Sequence, residues 1–149
     1  MKKILLIAAT FMIGATAMAQ QTADEVMKVN TEKIDFGKIK QNNPVTSSFT
    51  ITNKSNKPIV IENAWGSCGC TTPEVPKEPI APNSSTKIKV AYNAAALGTF
   101  TKDVFVKLAG VQEPKVIKIT GEVLDDAAYS AYAAKQKKAG TAATKKEKG

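Results

Sequence analysis

Cys68 and Cys70 are the only cysteines in the 149-residue chain, and a single glycine separates them. They sit in the run Trp65-Gly66-Ser67-Cys68-Gly69-Cys70-Thr71-Thr72-Pro73, the one segment where residue type and spacing point to a specific chemistry. Residues two apart on an extended backbone face the same side, so the two sulfurs can converge. In a strand their Cα atoms would lie about 6.6 Å apart, near the upper limit for a disulfide, and a bend at Gly69 shortens that span.

Three readings of the pair stay open. A bridged pair can simply shape the loop, and with about three residues enclosed it stabilises the fold by only about 1.6 kcal/mol. A strained, exposed bridge can instead be a thiol–disulfide exchange site. Against that, the chain lacks Cys-x-x-Cys spacing and has no histidine to tune a thiol. A reduced pair can also offer two thiolates to Cu(I), a soft ion that tolerates few ligands. Structural zinc wants four ligands, which two cysteines and no histidine do not supply unless carboxylates complete the set. The expectation is therefore no bound cofactor, with Cu(I) at Cys68 and Cys70 as the weaker alternative.

The residues around the pair read mainly as structure. Trp65 is expected in the core. Pro73, Pro76, Pro79 and Pro82 deny the segment ladder donors, so a rigid connection between sheets is expected there. Rigid loops on a scaffold carry binding, which makes Trp65, Ser67, Gly69, Thr71 and Pro73 a candidate interaction loop. Ser67, Thr71 and Asp103 form no triad, because every such arrangement needs a base that this chain does not have. No catalysis is expected.

The elements that must hold this loop are short strands. From residue 26 to 123 apolar residues recur with period two between turn signals. Val45, Ser47, Phe49 and Ile51 alternate with threonine and serine, and residues 53–58 make a turn. Residues 59–65 form a second apolar strand. Ile88, Val90 and Tyr92 mark a third, Phe100, Val104 and Val106 a fourth, and residues 116–123 a fifth. With short early segments near 27–29 and 34–39, about seven strands result. Their spacing predicts an all-β, Ig-like antiparallel sandwich over residues 20–124, each sheet with one wet face.

Both ends differ from this body. Lys2-Lys3, an apolar run from Ile4 to about Gly14, and Ala17-Met18-Ala19 read as a secretory signal peptide, residues 1–19, cleaved after Ala19. The run is shorter than the ~20 residues a spanning helix needs. No cysteine follows the cleavage site, so no lipid anchor is expected. The mature protein is then soluble and periplasmic or extracellular, with no transmembrane segment. Residues 125–149 are mostly Ala, Lys, Thr and Gly. A helix over 127–138, stopped at Gly140, and then a solvated tail are expected.

Charge divides the same way. The formal net charge is +8, about +3 of it in the tail and about +3 in the body. Every cation is lysine, and the absence of arginine argues against bidentate recognition of bases or phosphates, so no nucleic acid is expected. The basic tail could rest weakly on an anionic surface; solubility is the blander reading.

Some spacings are familiar. Ile-Asp-Phe-Gly-Lys-Ile (34–39) and Phe-Thr-Ile-Thr-Asn-Lys-Ser-Asn-Lys-Pro-Ile-Val-Ile (49–61) resemble the opening of the ASH, major-sperm-protein and hydin class of Ig-like domains. Ser-Cys-Gly-Cys-Thr-Thr-Pro (67–73), Pro-Ile-Ala-Pro (79–82), Ile-Lys-Val-Ala-Tyr-Asn (88–93) and Gly-Thr-Phe-Thr-Lys-Asp-Val (98–104) resemble an exported bacterial family, domain of unknown function fifteen seventy-three. The resemblance covers about residues 31–123. It implies an Ig-like fold, export and no established activity, and it supplies no catalytic residues. The function expected is that of a non-catalytic module acting by contact with an unidentified protein of the cell envelope.

Overall fold

The computed structural model describes residues 21–146, with side chains as far as residue 137. The expected signal peptide lies outside the described residues. Eight strands and two helices follow in order: α1 (Ala23–Val26), β1 (Met27–Val29), β2 (Lys33–Lys40), β3 (Val45–Asn53), β4 (Ile61–Gly66), β5 (Thr71–Glu74), β6 (Ser85–Tyr92), β7 (Gly98–Leu108), β8 (Lys115–Leu124) and α2 (Asp126–Lys146). They form two four-stranded sheets, ordered β1-β3-β6-β5 and β2-β8-β7-β4. This is the Ig-like sandwich expected, with one strand more.

The core lies between the sheets and is built by alternation. In β7, Val104, Val106 and Leu108 are buried, and in β8 Ile117, Ile119 and Val123 meet them. Phe49 and Ile51 of β3 with Ile88 and Val90 of β6 supply the opposite wall. Each fully buried residue of this size contributes about 1.5–3 kcal/mol of apolar transfer, and these ten hold the sheets together.

Asn53 is fully buried although its sequence context reads as a turn. Its side-chain amide donates to the carbonyls of Lys57 at 2.7 Å and Ile80 at 2.9 Å, and its oxygen accepts from the Ser55 backbone N–H at 2.8 Å. Every hydrogen-bonding capacity that burial would strand is met. The turn is thereby tied to the Pro-rich segment, which also makes an isolated bridge between Ile59 and Ile80.

Three expectations need correction. Not every pairing is antiparallel: β2 runs parallel to β8, from Lys33 beside Lys118 to Lys40 beside Leu124. The chain leaves β2 for the other sheet and returns to β8 only at its end, so no hairpin constrains their direction. The register of this ladder shifts between Asp35 and Lys38, where Gly37 takes a φ of 65°. Pro73 lies not in a connection but in β5, an edge strand whose free side tolerates a missing donor. Finally, α2 runs through Gly140 to Lys146 instead of ending at residue 138. A helical glycine costs about 1 kcal/mol relative to alanine, too little to stop a helix flanked by alanine and lysine.

The start of α2 leans on the sandwich. Asp125 caps it, its carboxylate accepting the Ala128 N–H at 2.7 Å. Lys40 pairs with Asp126 at 3.1 Å, and the Lys38 ammonium sits 5.6 Å from the Tyr132 ring centroid. Tyr129 and Tyr132 are half-buried. Among the described residues no helix is long and apolar enough to cross a membrane.

Candidate functional site

The four residues 67–70 carry the chain from β4 in one sheet to β5 in the other, so the Cys-Gly-Cys segment is the crossover at one side of the sandwich. Cys68 and Cys70 are joined by a disulfide, with their Cα atoms 5.3 Å apart. The extended span is shortened by a bend at Gly69. That bend does not require glycine, since φ there is outside the left-handed region and a Cβ would meet nothing within 4 Å.

Gly66, by contrast, is required, and no local feature of the sequence marks it. A Cβ on Gly66 would lie 2.6 Å from the Thr71 carbonyl oxygen, 2.7 Å from the Thr71 Cβ and 3.1 Å from the Cys68 carbonyl oxygen. The two ends of the crossover fold onto each other at this point, and only a residue without a side chain fits.

Hydrogen bonds hold the crossover on both sides. The Ser67 N–H donates to the Asp103 carbonyl at 2.8 Å, and the Asp103 N–H donates to the Ser67 hydroxyl at 3.1 Å. On the far side, the Asn93 N–H donates to the Cys70 carbonyl at 3.1 Å, and Thr71 pairs with Tyr92 in the β5–β6 ladder. Within the turn the Thr71 N–H donates to the Cys68 carbonyl at 3.3 Å. The loop is thus anchored to β7 and to the end of β6 by contacts that do not involve sulfur.

Thr71 is buried, and its hydroxyl lies 3.9 Å from both sulfurs. Cys70 packs against the core, while Cys68 does not join that set. Tyr92, beside them, is buried and stacked on Phe100 at 4.0 Å, and burial pushes its phenol above the ordinary value. Ser67, Thr71 and Asp103 do come together here. Yet Ser67 is occupied by the Asp103 backbone, and the Asp103 carboxylate pairs with Lys118 at 2.8 Å. Among the described residues no three His, Cys, Asp or Glu side chains cluster as a metal site.

Trp65 corrects another expectation. It is 39% exposed, not core, and stacks on Phe105 with ring centroids 5.4 Å apart. Phe105 stands opposite Trp65 in one ladder and opposite Val116 in the other. Since Val104 and Val106 face inward, this row of Trp65, Phe105 and the exposed Val116 crosses the outer face of its sheet. The crossover therefore sits at the end of an apolar stripe, and Pro73 lies a few residues beyond it on the neighbouring edge strand. Phe105 carried a readable signal: it is the one aromatic among the polar outward positions Thr101, Asp103 and Lys107.

Solved structures share the sandwich. A protein of unknown function from Porphyromonas gingivalis W83 is 19% identical, with a TM-score of 0.57, over 72% of this chain and 50% of that one. The present chain thus spans about half the length of that relative. The ASH/PapD-like domain 7 of human CEP192 is 7% identical, with a TM-score of 0.57, over 81% of this chain and 99% of the domain. The CupB2 chaperone of Pseudomonas aeruginosa is 13% identical, with a TM-score of 0.51, over 64% and 55% of the two chains. At these identities the likeness is one of fold. No curated protein matches the chain. The family described as "Protein of unknown function (DUF1573)" matches over residues 27–123, and the chain, with its Ig-like sandwich and Cys-Gly-Cys crossover inside that span, belongs to this family.

Proposed function

We propose that this protein is an exported, non-catalytic Ig-like module that binds a protein of the cell envelope by taking an extended segment against β4. The observation that carries this reading is the state of the four sheet edges. A free edge invites another strand unless something blocks it. β1 is three residues long and follows α1 directly. β2 carries Lys33, Lys38 and Lys40, a bulge at Gly37 and the start of α2 beside it. β5 is four residues long and contains Pro73. β4 is bulged near Glu62, but from Asn63 to Gly66 it has neither proline nor lysine, and its exposed Trp65 offers an aromatic anchor. Aromatic anchors dominate contact energies. The likeness of fold to a chaperone accords with a role in protein contact, and the signal-like residues 1–19 with export.

A photo-crosslinking residue at Glu62 tests this in intact cells, with the same residue at Thr72 on the Pro-bearing edge as reference. Adducts with an envelope protein are expected from position 62 and at least tenfold fewer after Trp65→Ser, which alters an exposed side chain and leaves the core intact. Equal adducts from both edges, or indifference to Trp65→Ser, would overturn the reading.

A further inference from the structure

We infer that the Cys68–Cys70 bridge is a thiol–disulfide exchange site that accepts two electrons from a dithiol peptide, with Cys68 as the sulfur attacked. The first ground is that the crossover does not depend on the bridge. Ser67, Asp103 and Asn93 fix its two ends through hydrogen bonds, and β4 and β5 fix its flanks. A bridge that closes only three residues adds little to an already anchored loop. Opening it leaves the surrounding structure in place, as a site whose bond is broken in use requires.

The second ground is the asymmetry between the sulfurs. Both cysteines are half-buried, but only Cys70 packs against the core, which leaves Cys68 the sulfur more open to an incoming thiolate. The leaving sulfur is then Cys70. The buried Thr71 hydroxyl, 3.9 Å from each sulfur, is placed to donate to whichever one carries the charge. The third ground is position. The bridge opens beside β4 and the exposed Trp65, where an extended peptide has both a strand edge and an apolar stripe to lie on.

The electron balance is simple. One thiolate of the peptide attacks the Cys68 sulfur, the Cys68–Cys70 bond breaks, and its electron pair leaves on Cys70. The second peptide thiolate attacks the peptide sulfur of the mixed disulfide and expels the Cys68 thiolate. The peptide ends as a disulfide, and its two protons end on Cys68 and Cys70. One peptide is oxidised per bridge, so the protein acts as a stoichiometric oxidant.

The test uses the full chain with its bridge closed and a reduced peptide containing two cysteines. One peptide disulfide should form per protein, read by mass spectrometry after alkylation, and Cys68→Ser should abolish it. Two trapping variants then assign the attacked sulfur. Cys70→Ser leaves Cys68 alone and should form a mixed disulfide with oxidised glutathione at least tenfold faster than Cys68→Ser, which leaves only the inward-packed Cys70. Thermal midpoints of both variants should match the parent within a few degrees, because the loop is held without sulfur. A bridge that stays closed under excess reduced peptide would overturn the inference. So would equal trapping by the two variants, or loss of the fold in either. Failure here leaves the β4 contact untouched, since that reading predicts adducts at position 62 whatever the state of the cysteines.

Discussion

Replacing Gly66 with alanine puts a methyl group into the Thr71 backbone, and replacing Gly69 with alanine puts one into open space. The two substitutions are chemically identical and three residues apart. Gly66→Ala should cost about 1–3 kcal/mol, the usual range for forcing a carbon into a packed site. Gly69→Ala should stay within about 0.5 kcal/mol. Urea denaturation of both variants checks this, and equal losses would mean that the crossover is not folded as described. Sequence reasoning singled out Gly69 because it lies between the cysteines. Nothing local could show that Gly66 touches Thr71, since that contact exists only once β4 and β5 belong to different sheets. The alternation that marked most of the core was legible. Trp65 departs from the alternation for a physical reason: the register shift between Ile61 and Asn63 inserts a residue and flips the parity of all that follows. Counted in twos from Ile61, Trp65 belongs inside; the bulge turns it out onto Phe105.

At the scale of elements, α2 is joined to the sandwich by slight contacts. The Lys40–Asp126 pair is largely solvent-exposed, and such pairs are worth about 0–1 kcal/mol. Tyr129 and Tyr132 are only half-buried and touch each other at 6.2 Å between ring centroids. Truncation after Leu124 should therefore lower the unfolding midpoint by less than about 5 °C, the shift that roughly 1 kcal/mol produces in a domain of this size. Calorimetry on the truncated chain measures it, and a drop of about five degrees or more would make α2 part of the domain. The strands were legible because alternation is a local property. β5 was not, because four residues containing a proline read as a connection, and only the β6 ladder beside them makes them a strand. The parallel β2–β8 pairing was equally hidden, being set by where two distant segments meet.

Over the whole molecule, two buried or half-buried groups tie stability to alkaline pH. Lys115 is withdrawn from water, which alone would lower its pKa. Hydrogen bonds and charge from Asp24 in α1 and Glu32 before β2 outweigh that and hold it above the ordinary value. Tyr92 is raised by burial alone. In both, the folded protein holds its proton more tightly than the unfolded chain does. Their contribution is thus fully present below about pH 10 and lost as pH rises beyond it. The stability of the parent should fall through that range, and Lys115→Gln should flatten part of the fall. A parent whose denaturation midpoint is constant from pH 8 to about pH 11 would contradict this assignment.

The parallel pairing of β2 with β8 also has a mechanical side. Traction applied through the two ends of the domain reaches β2 at Lys33 and β8 at Leu124, which are opposite ends of one ladder. Once the three-residue β1 has peeled away, the strands cannot part like a zip, rung by rung. They must slide past each other, and the ladder from Lys33–Lys118 to Lys40–Leu124 takes the load together. A module built this way resists being pulled along its chain far better than being pried apart across it.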